Sequence, residues 1–306
     1  MAKQALRTYK ADFLLFLAAM IWGAAFVAQR VGMDHIGPFL FNGIRFGLGS
    51  ISLLPLIWFR EKKRLGPTIS QPSDLTTVLK AGFIAGVLLF AGSTLQQVGI
   101  IYTTAGKAGF ITGLYVVIVP ILGLFWKQRP SPGVWIGAFL AVVGLYFLSI
   151  TNELTISYGD FLVLLCAVFF ALHVLVIGWL APRVDCIKLS SVQFGVNSIL
   201  SLMVAVFVED ISWQGIMDGL LPILYGGFMS AGVAYTLQVV AQKDAPPAHA
   251  SIILSLESVF AAISGWIILD EQLTSRAILG CTLMFTGMLA AQLWPKGQGS
   301  PLPQNL

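Results

Sequence analysis

Charged side chains are scarce, at 10% of the 306 residues against 57% hydrophobic. A soluble domain carries about a quarter of its residues as charges, so an ordinary water-facing shell is excluded. Cysteine is nearly absent too. Cys166, Cys186 and Cys281 are odd in number, far apart and without CxxC spacing, and the three histidines do not cluster. Neither a disulfide framework nor a metal site is indicated. Glycine loops for phosphate and HExxH are also missing, so neither an ATP-binding site nor a cofactor is expected. The 18 Lys and Arg exceed the 14 Asp and Glu, but they lie between apolar segments and form no continuous face. That distribution argues against a nucleic-acid partner.

Long apolar runs are what the chain has in excess. A bilayer core of about 30 Å takes about 20 helical residues per crossing. Runs of that order occur near 12–31, 38–59, 78–101, 105–126 and 134–150, then near 160–180, 190–208, 219–241, 248–269 and 276–294. They lack the alternation of membrane barrel strands. The expected fold is therefore an all-α integral membrane protein of ten transmembrane helices. An N-terminal tail covers 1–10, a first five-helix unit 11–150, a second 151–294 and a C-terminal tail 295–306. Lys3, Arg7 and Lys10 before the first run imitate a signal peptide, but a related segment recurs at 159–162, where no signal could act.

With the N-terminus inside, the cytoplasmic segments carry fourteen Lys and Arg, while the opposite side carries three, Arg30, Lys107 and Arg276. Basic loops stay inside, which predicts cytoplasmic termini and a cytoplasmic Cys186 in the loop after the sixth helix; a bacterial inner membrane is the expected setting. Trp58, Trp126, Trp135, Trp179, Trp213, Trp266 and Trp294 fall near helix ends, where indoles favour the headgroup level. Only Trp22 falls in mid-helix.

The chain also repeats itself. Ala11-Asp12-Phe13-Leu14 matches Gly159-Asp160-Phe161-Leu162 at an offset of 148, and Arg45-Phe46-Gly47 aligns with Gln193-Phe194-Gly195 at the same offset. Thr94-Leu95-Gln96 matches Thr236-Leu237-Gln238 at 142, and Gly137 and Gly144 match Gly280 and Gly287 at 143. Five crossings is an odd number, so the second half enters the membrane from the opposite side. Two inverted five-helix repeats are an arrangement of secondary transporters, which bind near the midplane between the halves.

Trp22-Gly23, Arg45, the stretch Leu254-Ser255-Leu256-Glu257-Ser258-Val259-Phe260, Leu269-Asp270-Glu271 and Gly280 resemble the drug/metabolite transporter superfamily, specifically its EamA-like ten-helix permeases. The chain departs from that pattern at Ser258, where the family usually has proline, and at Gln128, where it often has glutamate. The resemblance implies a central cavity lined mainly by helices 1, 3, 4, 6, 8 and 9 and small metabolites moved by alternating access.

Glu257 lies about ten residues into an apolar helix, near the midplane, where a carboxylate costs about 2.5–3.5 kcal/mol on insertion scales. It can carry a proton, neutralise a substrate amine, or fix helix packing as a hydrogen-bonded glutamate. Arg45, with Asn42 one turn before it, lies on helix 2, which is peripheral in the resembled family, and is expected to be structural. Lys107 opens helix 4 and can attract a substrate carboxylate or serve as an interfacial lysine. Trp22 with Phe26, Ser93 with Gln97, and Tyr235 with Gln238 are three or four residues apart and can line one face. Aromatic walls with a few amides and hydroxyls suit a small amphipathic solute, though such a stripe also serves as core. His173, in mid-helix, can relay protons, bind substrate, or bond to a neighbouring helix. Asp12 and Asp160 are expected to cap repeat-equivalent helix starts. The GxxxG pairs Gly43/Gly47, Gly82/Gly86, Gly109/Gly113 and Gly133/Gly137 predict tight crossings within the half.

The expected activity is that of a secondary transporter, an exporter of a small neutral or zwitterionic metabolite such as an amino acid. Its expected partners are that solute, the lipid bilayer and, through Glu257 or His173, protons. The alternatives are a membrane-embedded enzyme, for which the clustered carboxylates are missing, and a channel-like facilitator, which inverted halves with a midplane glutamate disfavour.

Overall fold

The computed structural model describes residues 2–63, 74–103, 105–149, 157–269 and 274–294. Arg64, Asp270, Glu271, the junction at 150–151 and the tail 295–306 lie outside the described residues.

The first half contains α1 (Ala2–Gly32), α2 (Pro38–Lys63), α3 (Leu75–Gly99), α4 in two pieces (Ala105–Gly113 and Tyr115–Phe125) and α5 (Pro132–Ser149). The second contains α6 (Tyr158–Leu180), α7 (Cys186–Val208), α8 in three pieces (Leu220–Leu224, the π-helical Tyr225–Tyr235, and Thr236–Ala241), α9 in two (Pro247–Leu254 and Glu257–Leu269) and α10 (Ser275–Leu293). A short helix, Trp213–Asp218, precedes α8. Eight of these ten are long and apolar enough to cross a bilayer, and α5 and α10 are shorter apolar helices. Apolar side chains cover the outside of the bundle, and the seven tryptophans near helix ends are exposed among them. Only lipid tolerates such a surface.

Two local expectations need correction. α1 begins at Ala2 and not near Asp12, because the basic N-terminal stretch continues the helix. Asp12 is thus ten residues inside it, where no free backbone N–H remains to be capped. Asp160, by contrast, completes a capping box at the start of α6: its carboxylate accepts from the Ser157 backbone at 2.8 Å, and the Ser157 hydroxyl accepts from its own N–H at 3.2 Å. Cys186 is the first residue of α7 and not a loop residue.

A third correction concerns the glycines. A methyl group placed on Gly137 would come 2.7 Å from the Gly287 carbonyl oxygen, and one on Gly144 would come 2.6 Å from that of Gly280. These crossings join α5 to α10, so they lie between the halves and not within one. Gly43 and Gly47 likewise meet Leu202 and Ser198 of α7, and Gly82 and Gly86 meet Val192 and Val196. In lipid no hydrophobic drive pulls helices together, so close backbone approach supplies the van der Waals contact that holds the halves.

The same contacts prove the inversion. Residue numbers rise along α5 as they fall along α10, and rise along α2 as they fall along α7, so each repeat-equivalent pair is antiparallel. The other contacts follow the same two-fold pattern: α3 packs on α7 as α8 packs on α2, and α4 on α6 as α9 on α1. Even the ends of the α2–α7 pair correspond. Glu209, just past α7, accepts from the Phe39 and Leu40 backbone N–H groups at 2.7 and 2.8 Å and so caps α2 from the other half. Its equivalent at offset 148, Glu61, pairs with Lys188 at the start of α7 at 2.6 Å.

Candidate functional site

The pseudo-two-fold places one cavity between the halves, with room of about 30 Å³ for the centres of water-sized molecules. α1 contributes Trp22, Phe26 and Gln29; α2, Arg45; α3, Gln96; α4, Tyr115; α6, Phe170, His173 and Val174; α8, Ser230, Tyr235 and Gln238; α9, Leu254 and Glu257. All of these except Trp22 are buried.

Broken helices shape the site. Near the end of its first piece α9 carries Ser251 and Ser255, whose hydroxyls bond back to the carbonyls of Ala248 and Ile252 at 2.9 and 2.8 Å. Such back-bonds compete with the helical ladder. α4 tightens at Leu114, whose N–H reaches Ile111 at 3.2 Å. The first residues after the two breaks are Tyr115 and Glu257, repeat equivalents at offset 142, and both face the cavity. Their side chains approach each other closely, yet Tyr115 Oη and Glu257 Oε1 make no ordinary hydrogen bond among the described residues. Glu257 lies in the first turn of its half-helix, where the helix dipole favours its charge. Ser258, at the usual proline position, donates to the Gly109 carbonyl at 2.7 Å and ties α9 to α4.

The π-helical stretch of α8 opens the backbone toward α1, and the Ser230 carbonyl accepts from Trp22 Nε1 at 3.3 Å. The Trp22 and Tyr235 rings stack at 4.4 Å, tilted by 60°. His173 shares a hydrogen bond of 2.9 Å with Gln193 and meets Tyr235 edge-on at 6.2 Å.

Arg45 is the unexpected member. Its guanidinium is buried, lies 4.7 Å from the Phe46 ring and 5.5 Å from the Phe41 ring, and donates from Nε to Asn42 at 2.9 Å. Among the described residues it forms no ion pair. Tyr235 lies within electrostatic reach of both Arg45 and Glu257. A guanidinium, a carboxyl group and a phenol therefore line one cavity.

Trp22, Phe26, His173, Tyr235, Gln238 and Glu257 thus gather as the sequence suggests. Ser93, Gln97 and Lys107 do not join them. Ser93 accepts from Asn42 at its carbonyl, at 3.1 Å, and from Asn197 at its hydroxyl, at 3.0 Å, which places it behind Arg45. Gln97 turns to the Gln29 carbonyl at 3.3 Å, and its neighbour Gln96 faces the cavity and donates to Thr112 at 3.1 Å. Lys107 pairs with Asp160 at 2.6 Å. The repeat itself could have found four of the missed residues: offset 148 carries Trp22 to Phe170 and Phe26 to Val174, and offset 142 carries Gln238 to Gln96 and Glu257 to Tyr115.

Comparison with known proteins agrees with this architecture. A solved crystal structure superposes with a TM-score of 0.76 at 17% identity, covering 93% of this chain and 99% of its own, which supports the fold alone. An uncharacterized transporter of Archaeoglobus fulgidus is 34% identical over 92% of this chain and 86% of its own. A probable amino-acid metabolite efflux pump of Salmonella typhimurium is 26% identical over 91% of this chain and 93% of its own. The family model of EamA-like transporters matches once over residues 9–150 and again over 157–291, the two halves in turn. This multi-pass membrane chain is a transporter and not an enzyme, and it belongs to the EamA-like transporter family.

Proposed function

We propose that the chain exports a small zwitterionic metabolite, an amino acid or a close relative, by alternating access across a bacterial cytoplasmic membrane, with both termini in the cytoplasm. The observation that carries this reading is the pairing of Arg45 and Glu257 on one buried cavity. A guanidinium recognises a carboxylate with charge-assisted bonds, and a carboxylate recognises an ammonium. This gives Arg45 the role that the sequence suggested for Lys107. Gln238 Oε1 and Gln29 Oε1, both buried without a partner among the described residues, add acceptors for a donor-rich head group. Trp22, Phe26, Phe170 and Tyr235 supply the apolar wall for a side chain. The efflux pump of Salmonella typhimurium lends support by its name.

A cavity of about 30 Å³ admits about two waters, so an amino acid enters only after helices part. The discontinuous α4 and α9 meet at that point, as in transporters that bind at the midplane. The test is a thermal-shift panel on purified protein, comparing amino acids with their amides and with the amines that lack a carboxylate. Ligands that bind only the folded state raise its midpoint. Stabilisation by zwitterions and not by their one-charge analogues is expected; stabilisation by polyanions alone would overturn the reading. For orientation, an impermeant maleimide applied to intact cells should fail to label Cys186 in a variant with Cys166 and Cys281 replaced.

A further inference from the structure

The repeat offsets that align the cavity also align two ion pairs outside it. Asp12 Oδ1 lies 2.8 Å from His249 Nε2, and both residues are buried. Asp160 Oδ2 lies 2.6 Å from Lys107 Nζ, and Asp160 Oδ1 accepts from the Thr103 hydroxyl at 2.8 Å. Asp12 and Asp160 are equivalent at offset 148, and Lys107 and His249 at 142, each the third residue of α4 or α9. Both pairs join the first helix of one half to the fourth helix of the other. Each aspartate is ten residues before a cavity-lining aromatic, Trp22 or Phe170, so each pair is about 15 Å along a helix from the cavity. One lies toward the N-terminal face of the bundle and the other toward the opposite face.

We propose that these pairs are the two gates of the transport cycle: each seals one end of the cavity, and they part in turn. The proposal rests on the alternating-access reading above. Breaking both at once would connect the two sides, whereas breaking either alone frees one half-bundle to rock about the α2–α7 and α5–α10 contacts.

The start of α9 packs against α1, the second piece of α4, α5, α6 and α10. Ionisable side chains on or next to these elements at that end are Arg7, Tyr9 and Lys10, Lys127 and Arg129, and Arg183, all exposed; Lys243 and Asp244, just ahead of α9, are exposed too. Among the described residues Asp12 is the one ion-pair partner of His249.

The test uses full-length protein with Cys166, Cys186 and Cys281 replaced and Ser230→Cys in the cavity, reconstituted in liposomes and treated with an impermeant methanethiosulfonate from either side. His249→Ala should raise the reaction rate about tenfold from the N-terminal side, and Lys107→Ala about tenfold from the opposite side, the size expected for a lost charge-assisted bond. His249→Lys, which copies the other gate, should keep that side slow. It also separates loss of the gate from loss of folding, checked by monodisperse elution. If the parent cysteine reacts from both sides and neither alanine variant biases the side, the gates are refuted and alternating access stands. Reaction from one side alone under every condition would remove both ideas.

Discussion

Replacing Arg45 with glutamine separates a binding arginine from a structural one. Three contacts disappear: the Nε bond to Asn42 at 2.9 Å and the approaches to Phe46 and Phe41 at 4.7 and 5.5 Å. A hydrogen bond to a charged group contributes about 1.5–3 kcal/mol and a desolvated cation–π contact about 2 kcal/mol. Against these stands the penalty of burying a guanidinium with no ion pair among the described residues, several kcal/mol. The contributions nearly cancel, so Arg45→Gln should leave the unfolding midpoint in detergent almost unchanged. Its effect on ligands is different. Losing a charge-assisted bond to a substrate carboxylate should weaken zwitterion binding by about 10- to 150-fold. Binding of the matching amide, which lacks that charge, should change little. Isothermal titration with an amino acid and its amide, on parent and variant, measures both. A variant that loses stability while binding the two ligands with their parental affinities would refute the argument and return Arg45 to a packing role.

Glu257→Gln keeps size and hydrogen-bonding capacity but removes the charge, so it should fold normally and lose at least about tenfold in flux of amine-bearing solutes; parental flux in proteoliposomes at every pH tested would exclude the assignment. Trp22→Ala should reorder the preference among solutes by side-chain size, read from a competition assay, while its expression stays near parental. Gly144→Val should lower the unfolding midpoint sharply, because the added Cβ would meet the Gly280 carbonyl at 2.6 Å, and backbone yields less than a side chain. Gly106→Ala has open space around it and should be tolerated in the same assay.

Much of the site could be anticipated because its chemistry is conspicuous in an apolar chain. Glu257 and His173 are polar groups in mid-helix, and Trp22 departs from the interfacial pattern of the other tryptophans; each has to face something other than lipid. Ser93, Gln97 and Lys107 shared those credentials and went elsewhere. A three- or four-residue spacing says that two side chains share a face but not which face meets the cavity, and the difference between Gln96 and Gln97 is a rotation of one residue about α3. The place of Arg45 on the cavity could not be read for a related reason: it depends on how α2 packs against the π-helical part of α8, whose widened turn no residue pattern announces.

Composition, run length and charge asymmetry determine that this chain crosses a membrane many times as helices, because a bilayer leaves no other way to satisfy the backbone. The internal offsets determine that an odd number of crossings is repeated, and hence that the halves are inverted. The tertiary structure decides what lies on the axis between them. It sets Arg45 and Glu257, far apart in sequence and both costly in lipid, on one cavity, and it pairs Asp12 with His249 and Asp160 with Lys107 across the halves. Such juxtapositions depend on helix rotation and on backbone contacts at glycines from different halves. Those are long-range packing events, and periodicity within a single helix carries no record of them.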